Sequence, residues 1–375
     1  MKILCDKALP NSVEIFSQYG EVITKGGREI VSDDLKDIDV LITRSITKVD
    51  QNLLKDATSL KFVGTATAGM DHFDIPYLES LGIPYHNAQG SNAKSVGDYV
   101  LSVLLSLANT YQFNFENKSI GIIGCGFVGS EVEKKAQALG LRIVKNDPPR
   151  FRAGDTTCNG TLDEALACDI VTLHVPLIKE GIDKTYHLID ESKLKLLKED
   201  AILINASRGL VVDNEALSNY LDSHKDLKVW LDVFEGEPQI THHELLGKVC
   251  GATAHIAGYS YESKRRANVM LCQKMAQVLK LEKPNPYKMP TPELISIKLG
   301  NIQSLDLNLI TRLVFSVYNV QTDAFIFAHQ FNGAKSFDLM RANYRERHEL
   351  SSLKLVNVPK EYQQTLSLLG FSVED

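Results

Sequence analysis

The stretch "GIIGCGFVGS", residues 121–130, decides the fold, because it contains the GxGxxG spacing of a dinucleotide-binding turn. An apolar run, "SIGIIG", precedes this turn, and a helix-forming segment, "SEVEKKAQALG", follows it. A further apolar run, "LRIVKND", comes next along the chain. Strand, turn, helix and strand form a βαβ unit, so the sequence predicts a Rossmann domain that binds a dinucleotide.

Each glycine of the turn has a separate physical role in this prediction. Gly124 permits the tight turn, and Gly126 lets the backbone approach a pyrophosphate. Gly129 lets the helix pack closely on the strand. The backbone N–H groups at the start of the helix would face the negative charge of the phosphates.

An acidic residue at the end of the second strand selects the cofactor. Asp147 is placed to accept hydrogen bonds from the hydroxyls of the adenosine ribose and to repel a 2′-phosphate. This position favours NAD over NADP, although Arg150 and Arg152 follow closely and leave NADP open.

Composition limits the other classes of function. A length of 375 residues fits about two or three domains, and 44% hydrophobic and 23% charged residues are typical of a soluble globular protein. The net charge of -6 gives no reason to expect nucleic acid or an anionic membrane surface as a partner. Six cysteines stand singly without a CxxC pair, which predicts reduced, mostly buried thiols. We expect a cytoplasmic protein, because no secretory leader or membrane-spanning run is visible.

Short apolar runs alternate with helix start signals over most of the chain, and this rhythm predicts parallel α/β sheets. A buried helix is expected from Ser95, in "SVGDYVLSVLLSLANTY". Capping boxes are expected at Thr161–Glu164 and Thr241–Glu244.

The rhythm changes after the proline-punctuated segment 282–293. "LISIKL" alternates like a strand, and "SFDLMRANYRERHEL" is typical of a helix. We therefore predict an α/β protein with two Rossmann-like parallel-sheet domains around a cleft, and a smaller α+β domain at the C-terminus. The expected boundaries are 1–92 with 258–285 for the substrate-binding domain, 93–257 for the NAD-binding domain and 286–375 for the C-terminal domain.

Three strand-like runs downstream end in residues that suit hydride transfer at a hydroxyl carbon. This chemistry needs a base for the hydroxyl proton, a cation for a substrate carboxylate and an acid that orients the base. "AILINASRG" carries Arg208, "VWLDVFEGEP" carries Asp232 and Glu237, and "GATAHIAG" carries His255. Ligands bind at strand ends in open α/β sheets, so these side chains are candidates for one site.

The motifs "TATAGMDHFD", "NAQGSNAKSVGDYVLSVLL", "GIIGCGFVGS", "LHVPL", "NASRG", "DVFEGEP" and "HIAG" resemble, in order and spacing, the D-isomer-specific 2-hydroxyacid dehydrogenase family over about residues 40–282. The resemblance implies an NAD-dependent enzyme in which Arg208 binds the substrate carboxylate, His255 is the acid/base and Glu237 pairs with His255. Asp232 would contact the nicotinamide carboxamide. Cofactor contacts are implied for Gly124, Gly126, Phe127, Val128, Gly129, Asp147, Val175, Ala206, Ser207, Asp232 and Gly258. The chain departs from the family pattern at Val175, where a hydroxyl residue is common, and at Ala254, where proline is common.

A subgroup of this family oxidises a phosphorylated four-carbon 2-hydroxy acid, and the chain resembles that subgroup in "KILCDKALP", "RSITKV", "NDPPR", "HIAGYS" and its C-terminal tail. The resemblance implies a homodimer formed through the C-terminal domain. The loop around Thr67 would offer backbone N–H groups to the substrate carboxylate. Arg44 and Ser45 follow an apolar strand and are our first choice for the substrate phosphate, with Tyr259 adding a hydroxyl. The alternatives are that Arg44 pairs with a nearby acid such as Asp71 or Asp74, or that Arg345 and Arg347 reach the site from a dimer partner.

Three other functions are considered. A phosphoglycerate dehydrogenase would share the core, but its longer forms often carry a regulatory tail that is not apparent here. A dinucleotide-sensing co-regulator would act by binding partners, whereas the apolar segments of this tail suit a folded interface. His242, His243 and Glu244 stand together but match no zinc motif, so we expect no metal.

Overall fold

The computed structural model describes residues 1–288, 296–300 and 302–374. The chain divides into two compact units. Met1–Asn92 and Ser260–Thr291 form the first, and Ala93–Tyr259 and Pro292–Asp375 form the second. The described residues from 296 onward thus belong to the second unit, which also contains the glycine turn at residues 121–130. The division into three domains stays a prediction.

The strands in chain order are β1 (Lys2–Asp6), β2 (Glu21–Lys25), β3 (Val40–Thr43), β4 (Phe62–Thr65), β5 (Tyr85–Asn87), β6 (Ser119–Ile123), β7 (Arg142–Asn146), β8 (Ile170–Leu173), β9 (Ile202–Asn205), β10 (Lys228–Leu231), β11 (Gly251–Ala252), β12 (Ser296–Lys298), β13 (Lys354–Val356) and β14 (Ser372–Glu374). The α-helices are α1 (Ser12–Phe16), α2 (Gln51–Leu54), α3 (Ile75–Ser80), α4 (Ala93–Tyr111), α5 (Phe127–Ala138), α6 (Pro148–Arg152), α7 (Leu162–Leu166), α8 (Glu191–Leu194), α9 (Asn214–Ser223), α10 (Tyr261–Val278), α11 (Leu307–Val317), α12 (Val320–Gln330), α13 (Ala334–Ala342) and α14 (Lys360–Leu369).

The first unit is built on a parallel sheet in the order β2-β1-β3-β4-β5. Every residue of β3 and β4 is buried, as expected for central strands that are covered on both faces. Leu271 and Met275 of α10 belong to the same hydrophobic cluster as Ile3 and Phe62.

The second unit contains a parallel sheet in the order β11-β10-β9-β8-β6-β7, and a smaller parallel sheet in the order β12-β13-β14. Helices α11 to α14 accompany the smaller sheet. These sheets confirm the predicted α/β class with a small α+β segment at the C-terminus. The predicted buried helix is also confirmed, because α4 is buried from Val96 to Ala108.

Two local predictions differ from the structure at their ends. The helix predicted over "SFDLMRANYRERHEL" stops at Ala342, because the next segment places Arg347 and Glu349 in the interior instead of on a helix surface. The strand predicted in "LISIKL" is observed from Ser296, and its first two residues lie outside the described part of the chain.

One of the two predicted capping boxes forms. The Thr161 hydroxyl accepts from the Glu164 N–H at 3.1 Å, and the Glu164 carboxylate accepts from the Thr161 N–H at 2.8 Å. The box at Thr241 is wrong, because the short 3-10 helix begins at His243 and its N-cap residue, His242, makes no side-chain cap. The Thr241 N–H donates instead to the Glu235 carbonyl at 3.1 Å.

The predicted thiol state is confirmed, since all six cysteines are free and only Cys250 is exposed. Within the described residues, each helix is too short or too polar to cross a membrane.

Candidate active site

Two glycines of the turn between β6 and α5 are required by the backbone conformation and by close contacts within the protein. Gly124 has φ +90°, where an L side chain is strained, and a Cβ there would lie 2.7 Å from the His174 carbonyl carbon. A Cβ at Gly129 would lie 2.1 Å from the Gly124 carbonyl oxygen. These contacts seat the first turn of the helix directly on the glycine loop.

Gly126 is different, because, apart from its two neighbours in the chain, no described residue has an atom within 4 Å of the position that its Cβ would occupy. Gly126 is the N-cap residue of α5 and makes no side-chain cap, so the space beside it borders the backbone N–H groups at the helix start. Phe127 is exposed and Val128 is partly buried in the same turn. The protein itself does not require glycine here, whereas a pyrophosphate on the helix start would, so this turn fits the phosphates of NAD.

Asp147 links the second strand of the βαβ unit to the glycine turn. Its carboxylate accepts from the Cys125 N–H at 2.8 Å and from the Arg150 N–H at 3.1 Å. The arginines that left NADP open are both engaged with acids: Arg150 pairs with Asp155 at 2.8 Å, and Arg152 pairs with Asp183. The contact between Asp147 and an adenosine ribose stays a prediction.

The predicted catalytic residues follow three neighbouring strands of one parallel sheet. Arg208 comes after β9, Asp232 after β10 and His255 after β11, and β10 pairs with both β9 and β11. A Cβ at Gly209 would lie 1.9 Å from the Phe234 carbonyl oxygen, so the segment after Arg208 lies directly against the one before Glu237. The carboxyl ends of these strands therefore bring the candidates to one edge of the sheet.

His255 and Glu237 form a hydrogen-bonded pair. The His255 Nδ1 lies 2.6 Å from the Glu237 Oε2, and the Glu237 Oε1 accepts from the Phe234 N–H at 2.7 Å. His255 has φ +55°, an uncommon backbone conformation for a residue with a side chain, and its N–H donates to the Asp232 carbonyl at 2.8 Å. With Nδ1 occupied by the carboxylate, Nε2 is the ring nitrogen left to exchange a proton.

Asp232 holds the loop that carries His255. Its buried carboxylate accepts from the Thr253 hydroxyl at 2.6 Å, the Ile256 N–H at 2.8 Å and the Ala257 N–H at 2.9 Å. Burial raises the pKa of Asp232 to about 6, partly offset by the nearby His255 and these hydrogen bonds. The implied contact of Asp232 with a nicotinamide stays a prediction, whereas its support of the loop is visible in the structure.

The remaining predicted cofactor residues of this unit lie in the loops that follow β8, β9 and β11. The Ser207 N–H and hydroxyl donate to the Asn205 Oδ1 at 3.1 and 2.8 Å, and an Arg208 guanidinium nitrogen donates to the Ser207 carbonyl at 2.9 Å. The Val175 side chain lies 2.9 Å from the position of a Cβ at Gly124. Ala206 and Gly258 are partly buried in the loops after β9 and His255.

Arg44, Ser45 and Thr67 belong to the first unit. The Arg44 Nε donates to the Asp6 carboxylate at 2.8 Å, and Asp6 is fully buried. Ser45 is exposed after β3, and the Thr67 hydroxyl donates to the Gly69 carbonyl at 2.7 Å. Arg44 therefore has an acidic partner, but that partner is Asp6 and neither of the acids considered from the sequence.

The C-terminal segment contributes arginines whose roles the sequence analysis did not anticipate. Arg347 is buried, and its guanidinium donates to the Ser95 carbonyl at 2.5 Å and the Ala257 carbonyl at 3.2 Å. Arg341 lies with its guanidinium carbon 5.8 Å from the Tyr259 ring centre. The alternative that Arg347 reaches a partner's site is wrong, since Arg347 is enclosed by its own chain, and Arg345 pairs with Asp323 at 3.2 Å. No periodicity in "RANYRERHEL" distinguishes these arginines.

The structure also groups three side chains that the sequence analysis did not connect: His187, Asp213 and Glu235, whose ligand-capable atoms lie within 4.8 Å of one another. The His187 Nε2 lies 2.8 Å from the Glu235 Oε1. Asp213 accepts from the Ala216 N–H as the N-cap of α9, so this group already has structural contacts. In the sequence cluster His242, His243 and Glu244, the His242 Nδ1 lies 3.3 Å from the Glu244 Oε1.

This glycine turn and histidine–glutamate pair are the features of a nicotinamide-dependent dehydrogenase. Residues 102–257 match the NAD-binding domain of the D-isomer specific 2-hydroxyacid dehydrogenases, and residues 289–370 match a domain of unknown function. A 3-phosphoglycerate dehydrogenase from Entamoeba histolytica with bound NAD+ has a similar structure, with a TM-score of 0.64 and 25% identity over 75% of this chain and 95% of that one. The cofactor is NAD.

The similarity becomes more specific over the full length. Erythronate-4-phosphate dehydrogenase of Aeromonas salmonicida is 43% identical over 100% of both chains. The enzyme of that name from Shewanella halifaxensis is 40% identical over 99% of each chain. The chain belongs to the erythronate-4-phosphate dehydrogenase family.

Proposed function

We propose that the protein catalyses the NAD-dependent oxidation of 4-phospho-D-erythronate to 3-hydroxy-2-oxo-4-phosphooxybutanoate, a step of pyridoxine biosynthesis. The observation that carries this function is the hydrogen-bonded pair of His255 and Glu237, which follows the same sheet as the glycine turn. The full-length similarity supports the choice of substrate within the dehydrogenase class.

The chain's own groups have complementary roles in this proposal. When bound, NAD supplies the nicotinamide ring that accepts the hydride from C2 of the substrate. His255 takes the hydroxyl proton of the same carbon at Nε2, while Glu237 stabilises the resulting imidazolium through Nδ1. Arg208 binds the substrate carboxylate and favours the developing carbonyl.

The other predicted contacts are part of the same proposal. Cofactor contacts come from Gly124, Gly126, Phe127, Val128, Gly129, Asp147, Val175, Ala206, Ser207, Asp232 and Gly258. Substrate contacts come from Arg44, Ser45, Thr67 and Tyr259. The open space beside Gly126 supports the first group most directly.

We also infer that two copies of the chain associate through the C-terminal segment. Phe325 of α12 and Leu339 of α13 are 64% and 49% exposed, which is unusual for large apolar side chains unless they meet a partner. The six unpaired cysteines support a location in the reducing cytoplasm.

The substrate assignment is tested with a panel of acids: 4-phosphoerythronate, 3-phosphoglycerate, erythronate and glycerate, each with NAD. We expect NADH absorbance to rise fastest with 4-phosphoerythronate. His255→Asn should lower turnover by about 10²- to 10⁴-fold, because it removes the proton acceptor, while NAD binding measured by calorimetry stays nearly unchanged. Preference for 3-phosphoglycerate would replace the proposed substrate, and silence with every acid would favour a dinucleotide-sensing protein.

A further inference from the structure

The proposed substrate carries two anionic groups, and only one has a cation assigned to it in the unit that contains His255. Arg208 is assigned to the carboxylate. The first choice for the phosphate, Arg44, is already paired with a buried acid, Asp6, at 2.8 Å, so its charge is largely neutralised. A phosphate held in a protein of net charge -6 needs a local cation.

Arg341 is the arginine of the C-terminal segment that meets this need best. It stands in the last turn of α13, and its guanidinium carbon lies 5.8 Å from the Tyr259 ring and 6.0 Å from the buried Phe337 ring. Its Nε is buried and has no hydrogen-bond acceptor among the described residues. Tyr259 comes four positions after His255, so this cation lies beside the loop of the catalytic pair.

The neighbouring arginines are less suited to a ligand, because Arg345 already has an acidic partner and Arg347, although its Nε and Nη1 also lack acceptors, is only 1% exposed. Arg345 pairs with Asp323 at 3.2 Å, and Arg347 donates to backbone carbonyls under the Tyr318 ring. Among the described residues, Arg341 has no carboxylate partner within 4.0 Å of its guanidinium nitrogens. A partly buried arginine that makes no direct ion pair is costly, and a ligand that supplies a negative charge at hydrogen-bond distance would offset that cost.

The surroundings keep Arg341 charged. Burial acts to lower the pKa of Arg341, but Tyr259 and the Glu237 carboxylate raise it, and the net effect is above the ordinary value. A guanidinium also presents a planar fork of N–H donors that matches a phosphate, whereas an imidazole or an amine does not.

We propose that Arg341 binds the terminal phosphate of the substrate, with the Tyr259 hydroxyl as a second donor. This inference rests on the proposed function, since it concerns how the same site selects a phosphorylated acid. It makes the C-terminal segment part of the substrate site, which explains why a chain with a complete nucleotide fold carries this additional segment.

The test compares Arg341→Met with Arg345→Met as a matched control, using the full-length protein with NAD. Arg341→Met should raise KM for 4-phosphoerythronate by about 10- to 100-fold, because it removes a charged hydrogen bond, and Arg341→Lys should recover part of the loss. KM for unphosphorylated erythronate should change less than about 2-fold. Circular dichroism melting would show whether each variant remains folded.

An equal rise of KM for the two acids would overturn the inference, and so would a shift of the pH–rate profile with both acids. Either result would mean that Arg341 acts through Glu237 as a positioning residue and does not bind the phosphate. An inactive wild-type protein would refute the proposed function, but the phosphate site at Arg341 could still be tested by binding. Inorganic phosphate would then be titrated by calorimetry into the NAD-loaded protein: weaker binding to Arg341→Met than to Arg345→Met would support the phosphate site, and identical binding would refute it.

Discussion

Asp232 shows how one buried carboxylate can organise a whole loop, here the loop that carries the proposed acid/base, His255. Its three donors, from Thr253, Ile256 and Ala257, flank His255 on both sides. The left-handed backbone at His255 costs about 1–2 kcal/mol, and these hydrogen bonds together with the one to the Asp232 carbonyl offset that cost. The orientation of the histidine therefore depends on a group that the substrate need not contact.

Asp232→Asn should change both catalysis and the pH dependence of stability. Burial raises the pKa of Asp232 to about 6, against about 3.9 in an unfolded chain. A raised native pKa gives stability that is complete below about pH 4 and is lost as the pH rises through about 6. Relative to Asp232→Asn, the wild-type free energy of unfolding should fall by about 2–3 kcal/mol over this range.

Urea unfolding of both proteins between pH 4 and 8 measures this difference, in which the titration of groups that do not interact with Asp232 cancels. Turnover of Asp232→Asn should also fall, because the amide nitrogen cannot accept from the Ala257 N–H as the carboxylate oxygen does. A constant difference in stability across the pH range would contradict the raised pKa.

At the scale of elements, sequence patterns predict a helix, strand or cap correctly where residues close together in the sequence determine it. The βαβ unit, the α4 helix and the capping box at Thr161 depend on residues close in sequence, and each is observed. The strand ends that carry Arg208, Asp232 and His255 were predicted from the same rhythm. The end of α13 was not, because the path after Ala342 depends on Arg347 entering the interior, which is a contact with residues far away in sequence.

Arg347 contacts three separate segments of the chain, and its removal should affect both stability and the loop that carries His255. One guanidinium nitrogen contacts Ser95 and the Ala257 carbonyl, and the guanidinium carbon lies 3.8 Å from the Tyr318 ring. Arg347→Met keeps most of the volume but removes the charged donor to the Ser95 and Ala257 carbonyls, of which the Ala257 carbonyl keeps only the Ser95 hydroxyl as a side-chain donor. We expect the free energy of unfolding to fall by about 2–4 kcal/mol.

The matched control for this prediction is Arg152→Met, which breaks a partly exposed ion pair with Asp183 and should cost less than about 1 kcal/mol. Urea denaturation measures both changes, and activity at a temperature where both variants are folded reports on the loop. Equal midpoints for the two variants would show that Arg347 does not hold these elements together.

At the scale of the whole molecule, the second unit contains four of the side chains proposed to act on the substrate: Arg208, Glu237, His255 and Arg341. A cavity of about 420 Å³ lies beside the catalytic loop, between Ala254 and the helices α12 and α13. The exposed Phe325 and Leu339 stand on these same two helices. A partner chain that covers this surface would therefore also support the segment that carries Arg341.

The dimer is tested with Phe325→Asp combined with Leu339→Asp. Two charges placed in an apolar interface should lower the mass measured by light scattering from that of a dimer to that of a single 41.7 kDa chain. Ile182→Asp is the matched control, because Ile182 is 89% exposed but belongs to the loop between β8 and α8 and to neither of these helices. It should leave the dimer intact. A wild-type protein that is monomeric at every concentration would refute the dimer, and an unchanged mass for the double variant would place the interface on another surface.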